Sequence, residues 1–130
     1  MKIKNMELGW ISVHDIARSK QFFTETLGLE LGHSNEAHGW LELKTATAGF
    51  WLGVGKYTKE ANGPVVPGSN TVLTMTVDDL LATKAELEAK KVVFVGEILE
   101  IPGHVKMALF QDPDGNHFQL VERLDDRVKI

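Results

Sequence analysis

An internal repeat constrains this chain more than any other feature of its sequence. From Met6 to His14, Leu8, Trp10 and Ser12 alternate with Gly9, Ile11 and Val13, which is the two-residue period of a pleated strand. Asp15 is placed to cap a helix whose apolar face is Ile16, Phe22, Phe23 and Leu27, and Gly28 is placed to stop it. Three short strands are predicted next, at Leu29 to Ser34, Gly39 to Lys44 and Gly49 to Val54. The same order then returns. A strand is predicted from Thr71 to Val77, a helix capped at Asp78 or Asp79 and running to Lys90, and strands at Val92 to Ile98, Val105 to Phe110 and His117 to Glu122. At a constant offset of 64, Val13 falls on Val77, Asp15 on Asp79, Phe23 on Leu87 and Gly32 on Gly96. At an offset of 66, Leu43 falls on Leu109, Gly49 on Gly115 and Leu52 on Phe118. Agreement in element order, helix cap and turn glycine points to duplication of one strand-helix-strand-strand-strand unit.

The fold class this predicts is α+β, with two tandem βαβββ units forming a curved mixed sheet around a cleft. The units span about residues 6–55 and 70–124 of a single domain, joined by a linker at about 55–69. In that linker Asn62-Gly63-Pro64 and Pro67-Gly68 interrupt any regular pattern. One helix covers only one face of its unit's sheet, so the bare faces of the two units are expected to curve around shared space. Strand residues of one parity then pack on a helix and those of the other look into the cleft.

Composition narrows the partners. A net charge of -4 without a basic block argues against nucleic acid, whose phosphates require clustered Lys and Arg. No run approaches the roughly 18 apolar residues of a membrane span. The absence of cysteine removes disulfides, thiolate metal sites and cysteine nucleophiles from consideration, and with a start that resembles no signal peptide it sets a cytoplasmic expectation.

The stretch Val13-His14-Asp15-Ile16-Ala17-Arg18-Ser19-Lys20-Gln21-Phe22-Phe23 leading to Leu27-Gly28-Leu29, then Val77-Asp78-Asp79-Leu80, and above all Asp112-Pro113-Asp114-Gly115-Asn116, resembles the vicinal oxygen chelate superfamily. That superfamily includes glyoxalase I, extradiol dioxygenases and binding proteins of the bleomycin-resistance type. The resemblance covers roughly residues 6 to 124. It implies a metal site with one ligand from each of four strands, and those positions in this chain are Leu8, Gly53, Val72 and Gln119. Three of the four have no donor atom, so no metal or other cofactor is expected. The resemblance also implies a homodimer.

Trp10, Trp40 and Trp51 all have the parity expected of the cleft, beside Ser12, Thr74, Thr76, His117 and Gln119. Aromatic walls with a few polar groups suit a flat small molecule. The function expected is therefore metal-independent binding of a planar hydrophobic ligand, with Trp10, Trp40, Trp51, Thr74, His117 and Gln119 as contacts. The alternative is a glyoxalase-like lyase or isomerase that uses a non-standard metal site or His104, His117 and Glu42 as acid-base groups. Asp112, Asp114 and Asn116 have the opening spacing of a calcium loop, but His117 and Arg123 stand where its glycine and glutamate belong, so a Pro-Asp-Gly turn is expected there.

Overall fold

Each half of the chain begins its helix in the same way. The Asp15 and Asp79 carboxylates accept hydrogen bonds from the backbone N–H groups of Arg18 and Ala82, so both aspartates act as N-caps. The computed structural model of the chain describes residues 1–2, 4, 7–47, 49–70 and 72–125. Met6 and Thr71, where two strands were expected to start, lie outside the described residues.

The first unit, Met1–Asn70, holds β1 (Leu8–Val13), α1 (Ile16–Gln21), β2 (Glu30–Asn35), β3 (Trp40–Lys44), β4 (Trp51–Lys56) and a short α2 (Lys59–Asn62). Its sheet order is β1-β4-β3-β2, with β1 and β4 parallel and the other pairs antiparallel. The second unit, Thr71–Ile130, holds β5 (Leu73–Thr76), α3 (Leu80–Ala89), β6 (Val93–Ile101), β7 (Val105–Gln111) and β8 (His117–Arg123). Its order β5-β8-β7-β6 repeats the first, again with one parallel pair. The chain is thus α+β with two repeated units, each a mixed four-stranded sheet.

The two-residue period sorts the side chains as expected. In the first unit Ile11, Val13, Leu41, Leu43, Leu52 and Val54 are buried with Phe22 and Phe23 of the helical segment. In the second, Leu80 and Leu87 of α3 are buried with Ala108, Phe110, Phe118 and Leu120 of the sheet. Burying such side chains contributes about 1.5–3 kcal/mol each, which makes these two faces the main source of stability.

The equivalence of the halves is closer than two fixed offsets suggest. The caps set β1 and β5 at 64, and the pairs Trp10 with Gly53 and Thr74 with Gln119 then set β4 and β8 at 66. Leu43 pairs with Leu52, whereas it is Phe110, not Leu109, that pairs with Phe118. The sequence pairing of Leu43 with Leu109 is therefore off by one, and β3 and β7 differ by 67. Leu31 and Phe94, which pair with Leu43 and Phe110, differ by 63, so Gly32 and Gly96 share only membership of a bulged segment. Each step has a local cause. A π-helical turn, Phe22–Thr26, adds one residue to the first helix, β6 carries a larger bulge in a longer hairpin, and the β7–β8 turn is one residue shorter than the β3–β4 turn.

The π-helical turn also aligns the two helix exits. Gly28 has φ +74° and the equivalent Lys91 has φ +68°, the only non-glycine residue at positive φ among those described. A side chain in this left-handed region costs roughly 1–2 kcal/mol. Lys91→Gly is expected to raise stability by about 1 kcal/mol, less than the full strain because glycine gains unfolded-state freedom. An unchanged or lower midpoint in urea denaturation would contradict this.

The segment expected to be a linker is built into the first unit. Tyr57 N–H bonds Val13 O at 2.8 Å, the buried Asn62 donates from Nδ2 to Ser12 Oγ at 2.8 Å, and the Ser12 hydroxyl in turn donates to Val65 O. Residues 57–69 therefore form a strap held on β1 through Ser12, so that this serine serves the fold and not an open face.

Candidate functional site

The face of the first sheet that points away from α1 carries Trp10 on β1, Trp40 and Glu42 on β3, and Trp51, Gly53 and Gly55 on β4. Glycine at 53 and 55 leaves the surface low enough for an indole to lie on it. A methyl group added at Gly53 would sit 2.6 Å from Trp40 Cη2 and 3.0 Å from Trp10 Cβ, and one at Gly55 would sit 3.4 Å from the Trp40 ring. Glu42 fixes the ring from the other side, its Oε2 accepting from Trp40 Nε1 at 2.8 Å. This bond engages one oxygen of the carboxylate that the acid-base alternative requires.

Trp10 and Trp40 form one wall. Their ring centroids are 6.4 Å apart and their planes meet at 59°. That geometry leaves no slot for a parallel sandwich, so a flat ligand would stack on one ring and meet the other edge-on. The wall borders a groove of about 520 Å³ whose other sides are Ile16, the Glu36–Gly39 turn, Lys56 and the strap residues Thr58, Ala61 and Asn62. The volume lies in the range of about 300–1,000 Å³ usual for small-molecule sites. Trp10, 39% exposed, leaves part of its ring open to a ligand.

Sequence parity found the two indoles but not the rest of the groove. Glu36, His38, Lys56 and Thr58 belong to a turn, a strand end and the strap, where no periodicity marks them. The nearest signal was Gly39, whose left-handed φ of +68° ends the short 3-10 turn Glu36–His38 and closes it toward Lys56.

Trp51 has the expected parity but lies elsewhere. It stands opposite Leu8 at the start of β4, four residues before Gly55 and so about 13 Å along the strand. Its ring covers Gly32 and takes the Lys44 ammonium at 5.8 Å. It does not line the groove.

Thr74, His117 and Gln119 share one face of the second sheet. Thr74 Oγ1 donates to Gln119 Oε1 at 3.1 Å, and His117 Nε2 lies 3.1 Å from Gln111 Nε2. His104 is at the other end of the β7–β8 hairpin, with Nδ1 3.3 Å from Asp125 Oδ2. From Val105 to Gln111 is about 20 Å of strand, so His104 and His117 cannot pass a proton between them as a pair. The equivalent places to Trp10 and Trp40 in this unit hold Thr74 and Met107, so the aromatic wall has no second copy.

The residues at the implied metal positions do not fit a metal. Leu8 and Gly53 offer no donor, and the space over Gly53 holds the Trp40 ring. Val72 is exposed and apolar, while the Gln119 carboxamide oxygen is engaged by Thr74. Among the described residues no three His, Asp or Glu side chains converge as a metal-binding group. Nor is any described helix long and apolar enough to cross a membrane.

Comparison with known proteins identifies the family and the fold. A search of curated proteins found no match. Among solved structures, TnmS3, an antibiotic binding protein from Streptomyces sp. CB03234, is 30% identical with a TM-score of 0.78, the match covering 95% of this chain and 98% of that one. A glyoxalase/bleomycin resistance protein from the same organism is also 30% identical, with a TM-score of 0.72 and coverage of 89% and 98%. A superfamily member from Sphaerobacter thermophilus DSM 20745 is 24% identical and shares the fold, with a TM-score of 0.77 over 93% and 98%. The family model for this fold matches residues 6–120. With nearly its whole length matched and the tandem unit present twice, the chain belongs to the glyoxalase/bleomycin resistance protein/dioxygenase superfamily.

Proposed function

We propose that the protein binds a planar, hydrophobic small molecule without a metal, as a sequestering or carrier protein and not as a catalyst. The observation that carries this reading is the Trp10–Trp40 wall beside a groove of ligand size, on a surface where Trp40 covers one of the implied metal positions. The likeness to an antibiotic binding protein supports it. Thr74, His117 and Gln119, on one face of the second unit, are a further set of candidate contacts. Exposed Val93, Val95, Leu99 and Ile101 along the edge strand β6 support the view that the protein works as a dimer, which the same proposal places in the cytoplasm.

Titration with planar aromatic antibiotics, followed by tryptophan fluorescence, tests the binding. Trp10→Thr and Trp40→Met are each expected to weaken it about ten-fold, the size of one lost aromatic contact with its buried area. Trp51→Phe should leave affinity unchanged. A ligand that responds to Trp51 alone would move the site elsewhere, and no response to any ligand would sink the proposal. Native mass spectrometry of the purified protein reads two more parts of it: a dimer is expected, with no transition metal at one per chain.

A further inference from the structure

The polar groups around the groove are unevenly engaged, and the imbalance has a sign. Glu36 is the one carboxylate lining it among the described residues, and its Oε2 is held by Lys20 Nζ at 3.1 Å. That negative charge is already matched. Lys56, also lining the groove, has no ion pair or hydrogen bond to its ammonium among the described residues, and neither does the His38 imidazole to its ring nitrogens. Thr58 Oγ1 accepts from Ala61 N–H at 3.2 Å, which leaves its own O–H to donate. Asn62 is spent on the strap, with Nδ2 on Ser12 and Oδ1 accepting from Thr58 N–H. The groove therefore offers a ligand an ammonium and a hydroxyl donor, with an imidazole, beside an aromatic wall.

We infer that the groove selects aromatic ligands bearing an acidic oxygen substituent, a carboxylate or phenolate, with Lys56 as the counter-charge. This deepens the binding reading above and rests on it. A neutral ring would use the indole wall alone. An acidic ring would add a charge-assisted hydrogen bond from Lys56, stronger than a neutral one. Lys56 is exposed, so water screens the pair and the gain is modest, on the order of five-fold in affinity. The backbone already holds the lysine in place, since Lys56 N–H bonds Gly39 O at 2.7 Å.

The test compares 2-naphthoate with its methyl ester, which share the ring and differ in the charge, by isothermal titration calorimetry on the full chain. The acid is expected to bind about five-fold tighter at low ionic strength, with the ratio shrinking as salt is added. In Lys56→Gln, which keeps the Cβ against Gly39, the ratio should fall to about one. In Lys56→Glu the ester should be preferred. Circular dichroism and thermal unfolding check that both variants fold. Equal affinity for acid and ester in the unaltered protein, or a preference that survives in Lys56→Gln, overturns the inference while leaving the binding reading intact. Failure of both compounds to bind overturns the two together.

Discussion

Alanine in place of Asp112 is expected to cost about 3 kcal/mol of stability, a large loss for a polar side chain. The Asp112 carboxylate is buried at the β7–β8 turn and accepts three hydrogen bonds, from Asp114 N–H at 2.9 Å, Asn116 N–H at 2.8 Å and Asn116 Nδ2 at 3.0 Å. Asn116 is itself fully buried, so its donors cannot turn to water when the acceptor is removed. Asp112→Asn retains one accepting oxygen and should lose less, about 1 kcal/mol. Urea denaturation of the two variants beside the unaltered protein measures both, and a loss below 1 kcal/mol for alanine would mean that the turn holds without its carboxylate.

The same group carries a pH signature. Burial raises the Asp112 pKa above the ordinary 3.8, although hydrogen bonds from Asn116 and Asp114 pull the other way. The folded state therefore holds this proton more tightly than the unfolded chain. The stability it contributes is fully present below pH 3.8 and is lost as pH rises through the folded value. Asp112→Asn, which cannot titrate, should lack this component. The stability gap between it and the unaltered protein should accordingly widen toward acid, and a gap independent of pH would refute the assignment.

Gly53→Ala is expected to lower stability by about 2 kcal/mol. The new methyl would stand 2.6 Å from Trp40 Cη2 and 2.8 Å from Cζ2, so the indole must leave its place or the sheet must shift, an overpacking cost of about 1–3 kcal/mol. The Glu42 bond to the indole at 2.8 Å resists the first of these. Trp40→Met should relieve the strain, since methionine fills irregular space and Met107, paired with Val121 as Trp40 is with Gly55, occupies the equivalent place in the second unit. A double-mutant cycle should thus give a favourable coupling of about 1 kcal/mol or more between the two positions. Additive effects would show that Trp40 does not rest on Gly53.

Much of this was legible from the sequence, and the part that was not has a definite cause. Alternation placed Ile11, Val13, Leu52 and Val54 on the helix side and Trp10 and Trp40 on the other, because the period of a strand depends only on backbone geometry. The cap at Asp15 was equally plain and the second was narrowed to Asp78 or Asp79, of which Asp79 caps the helix, since an aspartate before an apolar helix has one common use. Parity states which face a residue occupies, not what chain lies over that face. Ser12 reads the same whether it meets a ligand or binds Asn62, 50 residues further on. Trp51 shares its parity with Trp40 yet sits at the other end of β4, a distance along the strand that alternation does not encode. Likewise His104 and His117 look close in a hairpin read as text, and stand at its two ends in space.

The strap has a consequence for how the groove came to exist at all. The repeated unit stops at Lys56, where β4 ends, and Thr58, Ala61 and Asn62 lie beyond it. A solitary βαβββ unit, however faithful its sheet, would possess the indole wall and the Glu36–Gly39 turn but nothing across from them. One side of the recess is supplied by sequence that belongs to neither copy. The groove thus lies wholly within the first unit, yet one of its sides comes from residues past the last strand of the repeat.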